Sequence, residues 1–412
     1  MIRFLNVCLA LLSVFNLQAQ AWPASPWTNG INLTNIMDAA GVNDLSGLHF
    51  NPVNNRLYAV QNDGRVRVLQ WNAIASGFTQ IANKTIEGGP EGITQANLSA
   101  NEFYTMDENN YEIRRYTYTA NFSSVTEFKH WNLLNAPSPM EDTGNTGPEG
   151  IVFVPDSFLS AAGFISEQTG QLYTSTKGLG GLFFVAHQDG GYVWVFDVNP
   201  NTNNDFAYVG KYKTSREESC DLAFDRSTGL LYILHNISGN NKLEVTNLSS
   251  GMISGERKFA VTNEFNIPDT FDANDNIEGF ALVPKCETNS IAGAWLCRDV
   301  GNNDESSILQ SALRWFHPFE AAGNCTPLAA VDFTKAEVQL YPNPVNDELT
   351  VSNLGTEPTH IRIYNNLGQL MVQKENQSQT TLVLETTYLQ SGIYMLEIKT
   401  DALVRTLKFL KQ

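Results

Sequence analysis

A short segment recurs five times in the first three quarters of this sequence, and it constrains the fold more than any other feature. Each copy begins with a carboxylate, continues in most copies with a small residue, and then runs into apolar residues. The copies begin at Asp44, Glu91, Glu149, Asp221 and Glu278. Their spacing of 47 to 72 residues is typical of four-stranded β-propeller blades with long loops.

A second apolar strand follows each copy of the repeat. The second strands are predicted at Leu57 to Val60, Phe103 to Met106, Phe183 to Ala186, Leu231 to Leu234 and Trp295 to Cys297. The fifth unit is one strand short, and the N-terminal stretch Ile31 to Ile36 can supply that strand and close the ring. The sequence therefore predicts an all-β chain with a five-bladed β-propeller over residues 22–330, with six blades as the alternative.

The repeat also predicts a candidate site. Innermost strands line the channel of a propeller, so the five leading carboxylates, Asp44, Glu91, Glu149, Asp221 and Glu278, are expected to form a ring at one mouth. The residues after the second strands add further oxygen donors, namely Asn62, Glu108, Gln188, Asn236 and Asp299. Clustered carboxylates raise one another's pKa, and a divalent cation relieves that conflict.

We therefore expect these ten residues to hold a cation. Ca²⁺ is the first expectation, with Mg²⁺ or Mn²⁺ as alternatives, because all three prefer hard oxygen ligands. The alternative is that the residues cap strand ends and bond to loop amides.

The residues directly before three of these donors, Gln188, Asn236 and Asp299, are His187, His235 and Arg298. These side chains are candidates for acid/base catalysis or anion binding next to a metal. Alternatively, the pleat of the strands turns them sideways into contacts within the blades. A serine nucleophile is not indicated, because the Gly-x-Ser-x-Gly motif is absent from the sequence.

The C-terminal segment, residues 335–412, alternates apolar residues with turns of Pro, Asn and Gly, which predicts a small immunoglobulin-like β-sandwich. It contains Tyr341-Pro342-Asn343-Pro344, then Asn365-Asn366-Leu367-Gly368-Gln369, and then Gly392-Ile393-Tyr394. These segments resemble the C-terminal sorting domain of type IX secretion cargo (Por secretion system, type A). The resemblance implies handling by the type IX secretion machinery, export across the outer membrane, and release or attachment at the cell surface.

The N-terminus predicts the first export step. Arg3 precedes the apolar run from Phe4 to Leu17, which is too short for a transmembrane helix, and Ala19 and Ala21 offer a cleavage site. Residues 1–19 are therefore interpreted as a signal peptide. No later segment is apolar for long enough to suggest a transmembrane span.

The charge and the cysteine content further narrow the classes of protein to which this chain can belong. The net charge of −17 argues against nucleic-acid binding, because a basic surface is needed to neutralise phosphates. Of the five cysteines, Cys8 lies in the predicted signal peptide. Cys286 and Cys325 lie in loop-like segments and are the preferred disulfide pair in an exported chain. Cys220 and Cys297 lie in apolar strands and are expected to be buried thiols.

The propeller itself resembles a known group. The segments Pro90 to Ile93, Pro148 to Ile151, Leu222 to Asp225 and Ile277 to Ala281 are similar to those of SdiA-regulated and esterase-like phytase propellers. The resemblance covers about residues 40 to 320 and implies a cation in the channel and phosphoester hydrolysis. The Asp-Asp-Pro-Ala segment typical of classical β-propeller phytases is absent from this sequence.

Two functions stay open at this point. The first is a metal-dependent hydrolase acting on a small phosphorylated or ester substrate. The second is a non-catalytic extracellular binding module with a structural cation, because propellers serve both purposes. In either case a monomer is expected.

Overall fold

The computed structural model describes residues 20–22, 26–37, 42–236, 241–268, 276–287, 291–299, 311–325, 339–352, 354, 359–365, 369–376, 381–399 and 404–412. The predicted signal peptide, residues 1–19, lies outside the described residues. The chain divides into two units, Met1–Leu328 and Ala329–Gln412.

The first unit is built almost entirely from short strands. In chain order they are β1 (Gln20–Ala21), β2 (Ile31–Asn32), β3 (Leu45–Asn51), β4 (Arg56–Gln61), β5 (Arg65–Asn72), β6 (Gly77–Thr85), β7 (Pro90–Thr94), β8 (Glu102–Asp107), β9 (Glu112–Tyr118), β10 (Val125–Asn132), β11 (Pro148–Pro155), β12 (Gly181–His187), β13 (Tyr192–Val198), β14 (Phe206–Lys213), β15 (Asp221–Asp225), β16 (Leu230–His235), β17 (Lys242–Ile253), β18 (Glu256–Asn266), β19 (Ile277–Leu282), β20 (Ala294–Arg298) and β21 (Leu313–Phe316). One α-helix, α1 (Asp156–Ala162), follows β11. The 3-10 helices are Trp27–Asn29 and Thr34–Met37.

These strands form five four-stranded antiparallel blades. The blades are β3 to β6, β7 to β10, β11 to β14, β15 to β18, and β19 to β21 with β2. The third and fourth blades are joined at their outer edges by one parallel pair, Lys213 with Lys258, and β1 pairs in parallel with β18. The innermost strands β3, β7, β11, β15 and β19 contact one another in that order, and β19 contacts β3 again. The ring is therefore closed, and the prediction of a five-bladed propeller is confirmed.

The N-terminal strand closes the ring as predicted. In the fifth blade Ile31 pairs with Trp315 and Asn32 pairs with Arg314. The strand is shorter than the predicted stretch to Ile36, because the Asn32 side chain accepts a hydrogen bond from the Thr34 amide at 2.9 Å and turns the chain into a 3-10 helix.

Glycines explain how five inner strands fit around one axis. A Cβ added to Gly92 would lie 2.5 Å from the Ile151 nitrogen, and one on Gly150 would lie 2.4 Å from the Asp221 Cα. Gly47 meets the backbone of Glu91 in the same way. The small residue of the repeat is thus required where the backbone of one blade touches the next.

The second unit contains two antiparallel sheets. Its strands are β22 (Gln339–Tyr341), β23 (Glu348–Ser352), β24 (Thr359–Asn365), β25 (Leu370–Asn376), β26 (Thr381–Glu385), β27 (Gly392–Lys399) and β28 (Val404–Lys411). The sheets have the orders β22-β23-β26 and β25-β24-β27-β28. Val351, Ile363 and Leu396 belong to the buried core that both sheets share. The predicted small β-sandwich is confirmed.

The cysteines have the predicted states. Cys286 and Cys325 form a disulfide, and Cys220 and Cys297 are buried free thiols. The sulfur of Cys297 lies against Gly279, so close that a Cβ added to this glycine would be 2.4 Å from it. This thiol therefore fills space between neighbouring strands.

Candidate functional site

One end of the channel is defined by a hydrogen bond that recurs in four blades. The amides of Asn62, Glu108, Gln188 and Asp299 donate to the carbonyls of Asp44, Gly89, Gly147 and Asn276 at 3.1, 3.2, 3.1 and 2.9 Å. Each carbonyl belongs to the residue just before an inner strand, and each amide follows a second strand. The predicted donors Asn62, Glu108, Gln188 and Asp299 therefore lie at the end of the channel where the inner strands begin, which we call the acidic mouth. Asn236, the fifth predicted donor, follows the second strand of its blade but does not form this bond.

Three of the predicted leading carboxylates occupy equivalent positions at this mouth. Glu91, Glu149 and Glu278 each lie at a β-bulge at the start of an inner strand, directly before the glycine that touches the next blade. A bulge redirects the side chain of the extra residue, which here brings carboxylates from three blades to one opening. Ser46 holds this position in the first blade, and its side chain is a hydrogen-bond partner of Glu91.

Asp44 and Asp221 are placed differently from the other predicted carboxylates. Asp44 lies in the loop before β3, at the position of Gly89 and Gly147, with a backbone φ of 48°. Asp221 occupies the position of the glycine rather than that of the glutamate, as its contact with Gly150 shows. Aligning the repeats on their glycines instead of their carboxylates gives the register found in the structure.

Asp221 fills the middle of the channel. Its carboxylate is fully buried and accepts hydrogen bonds at 2.8 Å from the amides of Leu222 and Phe280, and the Leu48 amide is a further backbone partner. Burial raises the pKa of Asp221 well above its usual range, against the lowering effect of these hydrogen bonds. This side chain links inner strands of three blades and separates the two ends of the channel.

Burial and neighbouring carboxylates raise the pKa of each glutamate at the acidic mouth. Burial is the main cause and raises the pKa of Glu91 to about 8, with contributions from the charges of Glu108 and Asp299. Burial, followed by the charges of Glu91 and Glu278, raises the pKa of Glu149 well above its usual range. The same holds for Glu278, through burial and then the charge of Glu91. At neutral pH this cluster therefore retains protons.

The placement of these groups bears on metal binding. Within the part of the chain that the structure describes, no three side chains of His, Cys, Asp or Glu are grouped closely enough to hold a metal ion. The oxygen donors at the acidic mouth are thus neighbours, but they are not arranged as a coordination shell.

His187, His235 and Arg298 lie at the ends of β12, β16 and β20, where they are buried and turned toward the third strand of their own blade. His235 Nε2 lies 3.4 Å from the buried carboxylate of Glu244, and the His187 ring lies 5.9 Å from the Trp194 ring. Arg298 Nε donates to the Ser311 carbonyl at 3.4 Å. In the second blade the equivalent pair is the salt bridge between Asp107 and Arg114 at 2.9 Å.

His235 and Arg298 thus form buried polar contacts inside their blades, and His187 packs against an aromatic ring. Burial lowers the pKa of His187 to about 4, which keeps its imidazole neutral. Burial opposes ionisation of Glu244, but hydrogen bonds from His235 and Ser215 hold its pKa below the usual value. These interactions place the three predicted catalytic residues in the blade interior rather than at the acidic mouth.

Polar groups at the other end of the channel were not predicted from the sequence. There, His49 of β3 and Arg226 after β15 line a small cavity with Leu48, Phe224 and Leu282. We call it the distal cavity. A histidine within an otherwise apolar inner strand is the one signal that points to it.

Solved structures similar to this chain have low identity. They include hydrazine synthase from Kuenenia stuttgartiensis (12% identity, TM-score 0.34, 64% of this chain and 58% of that one). Others are a protein from Lactobacillus plantarum (10%, TM-score 0.32, 83% and 88%) and Sqt1 from Saccharomyces cerevisiae (10%, TM-score 0.33, 67% and 84%). The chain thus spans less than two thirds of the hydrazine synthase chain. No curated protein matches it.

The C-terminal unit gives a specific match. Residues 339–412 match the family described as the secretion system C-terminal sorting domain, which confirms the predicted sorting domain. In the described residues, no helix combines the length and apolar character needed to cross a bilayer. The chain is a β-propeller protein that carries a type IX sorting domain and is secreted to the cell surface or the extracellular space.

Proposed function

We propose that this secreted propeller binds a divalent cation, Ca²⁺ first and Mg²⁺ or Mn²⁺ as alternatives, at the acidic mouth and uses it to hold an extracellular ligand. The proposal rests on the placement of three glutamates, Glu91, Glu149 and Glu278, which three blades direct into one opening. There the charge of Glu91 raises the pKa of both Glu149 and Glu278, and the charge of Glu278 raises the pKa of Glu149. A cation would replace the protons that these groups otherwise keep.

The donor set suits a hard cation in its chemistry but not in its present spacing. Carboxylates, together with the amides of Asn62 and Gln188, are the ligand types that Ca²⁺ prefers. Because no three acidic side chains among the described residues form a compact group, cation binding requires the glutamates to rotate toward the channel axis. Glutamate side chains have three rotatable bonds, which allow this convergence.

Binding is favoured over hydrolysis by the contacts of His187, His235 and Arg298. These side chains engage their own blades, so they leave no acid/base pair beside the acidic mouth. Hydrolysis of a phosphoester or ester is the second candidate function. It is favoured by Glu91, since a carboxylic acid with a pKa of about 8 can donate a proton at neutral pH.

The first experiment measures cation binding by the mature protein with titration calorimetry, using Ca²⁺ and then Mg²⁺ and Mn²⁺ after chelator treatment. We expect saturable binding with release of protons, because bound cations displace them from the glutamates. Glu149→Gln should weaken binding at least about tenfold, which equals 1.4 kcal/mol. Glu141→Gln, a change at an exposed glutamate, is the matched control. Equal binding by both variants would refute the site.

The second experiment separates binding from hydrolysis. Phytate, a phosphomonoester, a phosphodiester and simple esters are incubated with the protein in chelator and then with Ca²⁺ restored. Activity that requires Ca²⁺ and is lost in Glu91→Gln would establish the hydrolase. If Ca²⁺ binds and all substrates stay intact, the cation-dependent binding function stands.

A further inference from the structure

The distal cavity lies on the channel axis. It is lined by residues of every inner strand, among them Leu48, Thr94, Val152, Ala223 and Ala281. Only a space at the centre of the ring can touch all five blades. The glutamates lie where these strands begin and the cavity lies beyond Asp221, toward their ends, so the two sites do not share groups.

Arg226 brings a positive charge to this cavity. From the loop after β15 its guanidinium crosses to the second blade and donates to the carbonyls of Gln95 and Ala96 at 2.5 and 3.1 Å. It also lies over the Phe153 ring, 5.7 Å from the centroid. These two hydrogen bonds use two of the five donors that a guanidinium carries. Among the described residues, the other three N–H groups of Arg226 form no further hydrogen bond.

No carboxylate neutralises Arg226 among the residues that the structure describes. The adjacent Asp225 is engaged elsewhere: one oxygen accepts from Ser227 at 2.8 Å and the other accepts from the Lys285 amide at 3.1 Å. Burial lowers the pKa of Arg226 to about 10, so it is still a cation at neutral pH. A partly buried cation without a counterion is costly, and an anionic ligand removes that cost.

His49 adds a second polar group. Its Nε2 atom is buried and has no hydrogen-bond partner among the described groups, while its side chain bonds to Gln95. Burial, followed by the charge of Arg226, lowers the pKa of His49 to about 3, so the ring is neutral. A neutral imidazole carries a single N–H, so Nε2 donates to a ligand in the tautomer in which Nδ1 accepts from the side-chain amide of Gln95.

We propose that the distal cavity binds a small monocarboxylate, with its carboxylate on Arg226 and His49 and its short alkyl end against the apolar wall. The cavity volume of about 30 Å³ holds roughly two water molecules, which restricts the ligand to the smallest monocarboxylates, such as acetate. A guanidinium matches a carboxylate in a bidentate manner. A single cation in an apolar surround compensates one negative charge, and therefore a monoanion fits better than phosphate. This inference does not depend on the cation proposed for the acidic mouth.

The test is titration of the mature, chelator-treated protein with acetate, followed by calorimetry and by the line width of ¹³C-acetate. We expect saturable millimolar binding to the wild type. Arg226→Gln should weaken it at least about tenfold, equal to 1.4 kcal/mol. His49→Phe, which keeps the ring shape and removes the donor, should also weaken it. Arg65→Gln, a change at an exposed arginine paired with Asp63, should leave it unchanged.

Melting temperatures of each variant identify any that fails to fold. If Arg226→Gln does not fold, Arg226→Lys keeps the charge without the planar fork and is expected to bind acetate more weakly than the wild type. Acetate binding of equal strength in the wild type and His49→Phe, or the absence of saturable binding, would overturn the proposal. Tighter binding of inorganic phosphate than of acetate would overturn the choice of ligand.

Discussion

The two ends of the propeller channel are built from the same five strands and carry opposite electrostatic character. At the acidic mouth, bulges in three blades direct Glu91, Glu149 and Glu278 into the opening. At the distal cavity the strands are regular and apolar, and the charge is the single cation Arg226. Buried Asp221 lies between them. In this propeller, the ionisable groups collect at the end of the channel where the inner strands are bulged, although the first blade carries Ser46 at its bulge.

The largest effect is expected from a change that forces two neighbouring inner strands apart. Gly92→Ala places a Cβ 2.5 Å from the Ile151 nitrogen and 2.8 Å from the Glu149 carbonyl oxygen, so the blades must move apart. We expect a loss of about 3 kcal/mol or more in the free energy of unfolding, measured by urea denaturation. Gly77→Ala, whose Cβ would meet its nearest atom at 3.8 Å, is the control. Equal stability of the two variants would show that the ring is not tight.

Loss of the disulfide should weaken ligand binding at the distal cavity but not at the acidic mouth. Cys286 follows Lys285, whose amide bonds to Asp225 beside Arg226, and the Cys286 amide bonds to Ser227. Replacing both Cys286 and Cys325 by Ser should lower the free energy of unfolding by about 2–4 kcal/mol. Acetate binding should weaken while calcium binding at the acidic mouth is kept. If both ligands are affected alike, the two ends are not independent.

The pH dependence of stability should have two arms, one for each end. Folding raises the pKa of Glu91 from 4.5 to about 8, so the folded state keeps a proton that the unfolded chain releases, and stability falls as the pH rises between these values. Folding lowers the pKa of His49 from 6.5 to about 3, so the unfolded chain takes up a proton first and stability falls as the pH drops through this range. Each group contributes up to about 1.4 kcal/mol per pH unit.

Single variants assign these arms. In chelator, Glu91→Gln should reduce the slope of the alkaline arm, to which Glu149 and Glu278 also contribute. His49→Phe should reduce the slope of the acid arm, to which His187 also contributes. Both slopes are read from melting temperatures between pH 4 and 9. Excess Ca²⁺ should also flatten the alkaline arm. An effect of Glu91→Gln on the acid arm, or of His49→Phe on the alkaline arm, would contradict the placement of these groups.

The smallest effect is expected on the outer surface. Arg65 and Asp63 form an exposed salt bridge at 3.0 Å, and exposed pairs of this kind contribute little. Arg65→Gln should change the free energy of unfolding by less than about 1 kcal/mol. A larger change would mean that the solvent-facing strands, and not only the channel, determine stability.

The fold could be predicted from the sequence because every blade repeats one pattern. Second strands such as Leu57 to Val60 and the closing strand at Ile31 follow from alternation and from counting strands per blade. The register at the inner strands could not be predicted in the same way. Both Asp44 and Asp221 carry the carboxylate that the pattern demands, yet the glycine contact between blades, not the carboxylate, sets which residues are equivalent.

The candidate site could also be predicted only in part from the sequence. Asn62 and Asp299 lie at the acidic mouth, as the repeat predicts, because each of them directly follows a second strand. The direction of His187 and His235 depends on diagonal partners in the third strand, which the spacing of the repeat does not specify. Arg226 was missed because its importance comes from a contact with Ala96, 130 residues away in sequence.

Closure of the fifth blade by β2 also has a consequence for the order of events during folding. Gly30 and Arg314 are joined by a hydrogen bond although they are 284 residues apart in sequence. The outermost strand of the fifth blade, β2, is therefore synthesised long before its partner β21. The ring can close only when the chain as far as Phe316 is present, so closure waits for nearly the whole first unit.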